Sequence, residues 1–161
     1  MDIGVAGLGI MGLSAATKLL EHGFTVWGYD VFPRAAERAE KAGVRMAASL
    51  EEMAEILDIA LLFVPGPKET EAVIVGDKGL IHHARQGLVI VNMSTVDPDV
   101  NIRMSQVLAD RGVGIIDAPG YILLKRAAPE LTGQWSLAPY PGTRQEDGSV
   151  SRWFIANGRG E

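Results

Sequence analysis

Six residues near the start of the chain, GLGIMG at positions 7–12, constrain its fold more than any other stretch. Three glycines stand at G-x-G-x-x-G spacing. Before them runs an apolar segment, Ile3–Ala6. After them comes MGLSAATKLLEHG, in which Leu13, Ala16, Leu19 and Leu20 share one helical face and Gly23 is placed as the C-terminal stop. Glycines between a buried strand and an amphipathic helix mark a sharp turn with close packing behind it. Gly7 permits the turn, Gly9 leaves the backbone bare, and Gly12 lets the helix lie against the strand. Bare backbone and a helix N-terminus together offer N–H groups and a positive dipole to phosphate. Gly7, Leu8, Gly9, Ile10, Met11 and Gly12 are therefore expected to cradle the pyrophosphate of a dinucleotide. The alternative is a glycine-rich turn with no ligand.

The same alternation continues to about residue 117. Short apolar runs recur at Phe24–Tyr29, Ile59–Val64, Leu88–Met93 and Val113–Ile116, with a weaker one at Val44–Met46. They are continuous, as in parallel strands covered on both faces. Amphipathic stretches separate them. PRAAERAEKAG has Pro33 in its first turn and Gly43 past its end. SLEEMAEIL opens with Ser49 and Glu52 at capping-box spacing. DPDVNIRMSQVLADRG has Asp97 as N-cap, Pro98 at N1 and Gly112 as its stop. These elements predict an α/β fold with a doubly wound parallel sheet in the order 3-2-1-4-5-6.

Composition narrows the partners. The formal net charge is −5, which suggests neither a nucleic-acid nor an anionic-membrane surface. There are no cysteines, so disulfides, thiolate catalysis and Cys-based metal sites are excluded. The apolar start carries Asp2 and no basic segment, and is read as strand and turn rather than a signal peptide. No apolar run reaches the roughly 18 residues a membrane span needs. A cytoplasmic protein is the default expectation.

Asp30 closes the second apolar run, 18 residues after Gly12. An acid there is placed to bind the adenosine ribose hydroxyls and to repel a 2′-phosphate. NAD is thus expected over NADP, although Arg34, one helical turn on, could soften the preference. The alternative is that Asp30 only starts a turn.

Several segments together resemble one family: IGVAGLGIMG, GYDVFPRA, FVPGPKETEAVIVGDKGL, VNMSTVDP and IIDAP. They are similar to the NAD-binding (Rossmann) half of the 3-hydroxyacid dehydrogenases, the superfamily of 3-hydroxyisobutyrate and 6-phosphogluconate dehydrogenases. The resemblance spans residues 1–119. It implies that Val64 and Pro65 line the adenine–ribose side of the cofactor. It implies that Ser94 and Thr95 lie near the nicotinamide, with Ser94 also a candidate for substrate contact. Asp30, Val31 and Phe32 stand where NADP-using relatives often carry Asn-Arg-Thr, which again favours NAD. The implied chemistry is hydride transfer between NAD and the hydroxyl-bearing carbon of a small 3-hydroxyacid, with a lysine as general base. In relatives a helical second domain makes the dimer; for this chain the oligomeric state is left open.

Past Pro119 the resemblance stops. Relatives continue DAPVSGG and later carry a lysine in a G-x-x-x-N-x-x-K setting; this chain reads DAPGYILLKRAAPE and has no such setting. Residues 120–161 are therefore read as an unmatched, irregular tail, with PYPGTRQEDGS as loop. A reading-frame change near codon 120 is the simplest account. The expectation that follows is a truncated, catalytically impaired chain without the helical domain, with no catalytic residue assigned. The rival is a non-enzymatic cofactor-binding or interaction module, with Trp135, Tyr140 and Trp153 as anchors. A third reading is a translation product with no function of its own.

The remaining candidates carry less. Lys125 follows the break, but nothing in the sequence positions it as a base. Lys18 belongs to the first helix, and Lys68 is placed in the loop after the fourth strand. His82 and His83 are adjacent, a poor spacing for a shared metal, so no metal site is assigned. His22 suits the helix C-terminal dipole. Met11, Met93 and Met104 are read as core or pocket packing. Ser94 lacks the G-x-S-x-G elbow of a hydrolase nucleophile.

Overall fold

The computed structural model describes residues 1–117 together with two later segments, 135–139 and 154–158. The first strand, β1 (Asp2–Ala6), leads into α1 (Ile10–Glu21). Then come β2 (Thr25–Tyr29), α2 (Pro33–Lys41), β3 (Arg45–Met46), α3 (Leu50–Ile56) and β4 (Ile59–Leu62). Helix α4 (Pro67–Val75) and a 3-10 turn at Leu80–His82 precede β5 (Val89–Asn92). Helix α5 (Pro98–Ala109) and β6 (Gly114–Asp117) complete the region. The strands lie in the order β3-β2-β1-β4-β5-β6, each pair parallel. This is the expected doubly wound arrangement.

Capping explains where the helices begin. The Ser49 hydroxyl accepts from Glu52 N at 3.1 Å, and the Glu52 carboxylate reaches back to Ala48 N at 2.6 Å. The return bond falls one residue before the usual capping-box partner. Asp97 accepts from Asp99 N at 2.9 Å, with Pro98 behind it. The expected glycine stops after α1, α2 and α5 all hold positive φ. His22 ends α1 with Nδ1 at 2.8 Å from the Lys18 carbonyl, as its place near the helix C-terminus suggested.

Two cores form, one on each face of the sheet. The larger joins Ala60, Leu62, Ile90 and Ile115 to Leu50, Met53, Ile74, Val100, Met104 and Leu108 of α3, α4 and α5. The smaller joins Val5, Leu8, Val26 and Val44 to Ala16 of α1 and to Ala35 and Ala39 of α2. Neighbouring residues such as Val5 and Ala6 enter opposite cores, as period-2 alternation requires.

Three expectations need correction. Lys68 is not in a loop: it is exposed in the first turn of α4. That helix buries only Thr70 and Ile74, too narrow a stripe for periodicity to reveal. Of the two readings for Met11, core or pocket packing, the first does not hold, since the residue is 48% exposed beside the glycine loop; Met104 is buried as expected. Within residues 120–161, two short strands appear. In sheet position, β7 (Trp135–Pro139) runs antiparallel to β8 (Phe154–Gly158), and β8 continues the sheet from β6 in parallel. Five-residue runs flanked by Gly and Pro give too few alternations to be read in advance. Lys125, Tyr140, Trp153 and the Pro119–Gly120 junction lie outside the described residues.

Candidate functional site

The carboxyl ends of β1 and β4 are neighbours in the sheet, at the point where strand order reverses. Open α/β sheets bind ligands there. Both connections at this point are shaped by glycine or proline.

Gly7 turns the chain with φ +90°, and its N–H donates to the Tyr29 carbonyl at 2.9 Å. A side chain at Gly7 would strike the backbone carbonyl of Phe63, at the end of β4. One at Gly12 would land on the carbonyl oxygen of Gly7, so α1 can lie this close only with glycine there. Gly9 differs: a Cβ there would meet nothing within 4 Å. Its bareness serves no packing need of the chain itself, and the space it leaves faces outward beside Ile10, 85% exposed.

Gly9 is also the N-cap of α1. It supplies no capping side chain, and the first turn holds no acidic residue. By contrast α3 and α5 are both capped by side chains and carry acids in their first turns. The first N–H groups of α1 thus have no side-chain cap, a feature it shares with α2.

Asp30 stands beside this turn. One carboxylate oxygen accepts from Leu8 N at 2.6 Å and the other from Phe32 N at 2.8 Å. The turn-starting alternative is thus part of its role, and so is anchorage of the glycine loop. Leu8 itself buries its side chain completely. Val31 and Phe32 are exposed, next to Asp30. Arg34 is exposed in the first turn of α2.

Across the crevice, Val64 N donates to the Ser94 hydroxyl at 3.0 Å, and that hydroxyl lies 3.4 Å from the Leu62 carbonyl. Ser94 is buried and joins the ends of β4 and β5; Pro65 and Thr95 are exposed on the same edge. The described structure therefore gathers Gly7–Gly12, Asp30, Val64, Pro65, Ser94 and Thr95 along one rim of the sheet.

Residues 2–120 match the sequence profile of the NAD binding domain of 6-phosphogluconate dehydrogenase. The chain belongs to that family. Among curated relatives of this NAD-binding domain, mitochondrial 3-hydroxyisobutyrate dehydrogenase from Mus musculus is 32% identical over 117 residues, covering 73% of this chain and 35% of the enzyme. The cytokine-like nuclear factor N-PAC of Danio rerio is 34% identical over 120 residues, 73% of this chain and 25% of that protein. A crystal structure of 3-hydroxyisobutyrate dehydrogenase from Salmonella typhimurium superimposes with a TM-score of 0.69 at 28% identity, over 74% of this chain and 41% of that one. The chain thus spans about a third of the length of the mouse enzyme.

This NAD-binding domain also carries polar residues that sequence reasoning missed. Asn92 and Asn101 are buried, and Asn92 Nδ2 donates to Asn101 Oδ1 at 2.9 Å. Asn101 lies on the apolar face of α5, between Val100 and Met104; a polar residue on such a stripe was the available signal. Asp117 ends β6, and burial raises its carboxyl above the usual 3.8, an effect the Asn101 amide partly offsets. Ionising Asp117 therefore disfavours the folded state. Stability from this group is complete below pH 3.8 and falls as pH rises through its higher folded value. Asp117→Asn is expected to raise Tm at pH 7 and to lose that advantage below pH 3.8. Melting curves across that range test it; a lower Tm at pH 7 would count against it.

The two adjacent histidines part company. His82 Nε2 is 2.9 Å from the Gly76 carbonyl, and His83 Nδ1 is 2.9 Å from Glu55. No cluster of three metal-ligating side chains occurs among the described residues. Lys18 pairs with Glu21 at 2.5 Å on the outside of α1. No helix among the described residues is long and apolar enough to cross a membrane.

Proposed function

We propose that residues 1–119 bind NAD(H) along this rim, as the cofactor-binding part of an oxidoreductase acting on a small hydroxyacid. The observation that carries the reading is the bare, outward-facing Gly9 at an uncapped, acid-free helix N-terminus, with Asp30 beside it. The pyrophosphate would lie over Gly7–Gly12 and take the α1 N–H groups. Asp30 would take the adenosine ribose hydroxyls, and its charge would disfavour a 2′-phosphate. Val64 and Pro65 would flank the adenosine side. Thr95 is the exposed group for the nicotinamide side, with buried Ser94 behind it. When bound, the cofactor supplies the hydride acceptor or donor.

The substrate class comes from the likeness to 3-hydroxyisobutyrate dehydrogenase. None of the 161 residues stands in the lysine setting that this resemblance leads one to seek. The reading therefore gives these residues cofactor binding and assigns the general base to none of them. The likeness to N-PAC, whose name is not that of a dehydrogenase, favours a second reading as a cofactor-binding or interaction module.

Calorimetric titration with NADH and NADPH tests the cofactor. NADH is expected to bind at least about tenfold more tightly than NADPH, and Asp30→Ala to weaken NADH by about tenfold or more, the worth of a charged hydrogen bond. Tighter binding of NADPH, or of neither dinucleotide, would overturn the reading.

A further inference from the structure

A line of buried polar side chains runs behind the rim, and the cofactor reading gives it no task. It begins at Val64, whose N–H donates to Ser94 Oγ at the end of β4. Ser94 N in turn donates to Asn92 Oδ1 at 3.0 Å, and Asn92 Nδ2 donates to Asn101 Oδ1 at 2.9 Å. Asn92 is completely buried and Asn101 is 4% exposed. The far end faces β6: Asn101 Nδ2 and Asp117 Oδ1 are both buried without a hydrogen-bond partner among the described residues. The ends of β4 and β5 and one helix are thereby tied into one polar chain, which stops short of β6.

Such a chain is an expensive way to fill space. A buried amide that loses its partner costs more than an apolar side chain of the same shape would. What the amides provide is direction: each fixes the next side chain to one orientation. The last group they orient is the backbone of Ser94, the residue before exposed Thr95.

We propose that Asn101 is a positioning residue: through Asn92 and Ser94 it holds the 93–97 turn against Val64, so that the nicotinamide half of the dinucleotide meets a preformed rim. The proposal rests on the dinucleotide reading above. It makes Asn101 act at a distance from the ligand, from the first turn of α5.

The test compares NADH with ADP-ribose, which lacks the nicotinamide, by calorimetry on the whole chain. In Asn101→Leu the affinity for NADH is expected to fall about tenfold and that for ADP-ribose by less than about threefold. Ser94→Ala, which cuts the same chain at its other end, is expected to show the same pattern. It serves alone if Asn101→Leu fails to fold. Equal losses for both ligands would reduce Asn101 to a structural part, and unchanged binding of both would also overturn the proposal. A parent chain that binds ADP-ribose and NADH equally would do so too. If the parent binds neither, the dinucleotide reading falls first and takes the proposal with it.

Discussion

Gly12→Ala is expected to break the corner between β1 and α1. The new methyl would land on the Gly7 carbonyl oxygen, and both sides of that clash are backbone. No rotamer change relieves it, so α1 must move off the sheet. Overpacking of this kind costs about 3 kcal/mol, which in a domain of this size lowers Tm by about 10 °C. The Asp30–Leu8 bond lies in the same turn and would be strained with it. Circular-dichroism melts decide the matter: a Tm within about 2 °C of the parent would mean the turn tolerates a side chain.

Gly9→Ala should behave in the opposite way. A Cβ at Gly9 meets no atom of the chain within 4 Å, and the residue's φ of −62° suits alanine. Stability is expected to stay level or to rise by a few tenths of a kcal/mol, from the smaller entropy of the unfolded chain. Binding is another matter, because the methyl would stand where the pyrophosphate approaches. NADH affinity is expected to fall by about 100-fold, roughly the loss of two charge-assisted hydrogen bonds. The pair of variants separates two reasons for glycine: one is needed by the fold, the other by the ligand. Undiminished NADH binding by Gly9→Ala would show that the loop is not the cradle.

That separation was partly legible in advance. The G-x-G-x-x-G spacing gave all three glycines, and their places between strand and helix gave their roles. Asp30 was equally visible, since its position depends only on counting from the loop to the next strand. Its bond to Leu8 N was not, because that contact joins residues 22 apart in sequence. Helices α1, α2, α3 and α5 announced themselves by caps and stops. Helix α4 did not: Gly66 at its start offers no capping side chain, and its buried stripe is two residues wide. The Asn92–Asn101 pair escaped for a further reason. Asn92 is a single polar residue in an apolar run and Asn101 one of several polar residues in an amphipathic helix, and only the packing of α5 on β5 and β6 turns the two into one bonded pair.

The two faces of the sheet are unequal. Among the described residues, seven buried apolar groups, three of them alanines, hold α1 and α2, against eighteen in the core beneath α3, α4 and α5. Area removed from water sets how cheaply a segment opens, so the thinner side should breathe first. Its amides would then exchange with solvent sooner than those beyond β4. Both the glycine turn and Asp30 belong to that thinner side. A dinucleotide lying across them would do more than occupy a crevice: it would act as the missing mortar of the weaker wall. The warmth released on binding would report, in part, a protein growing quieter.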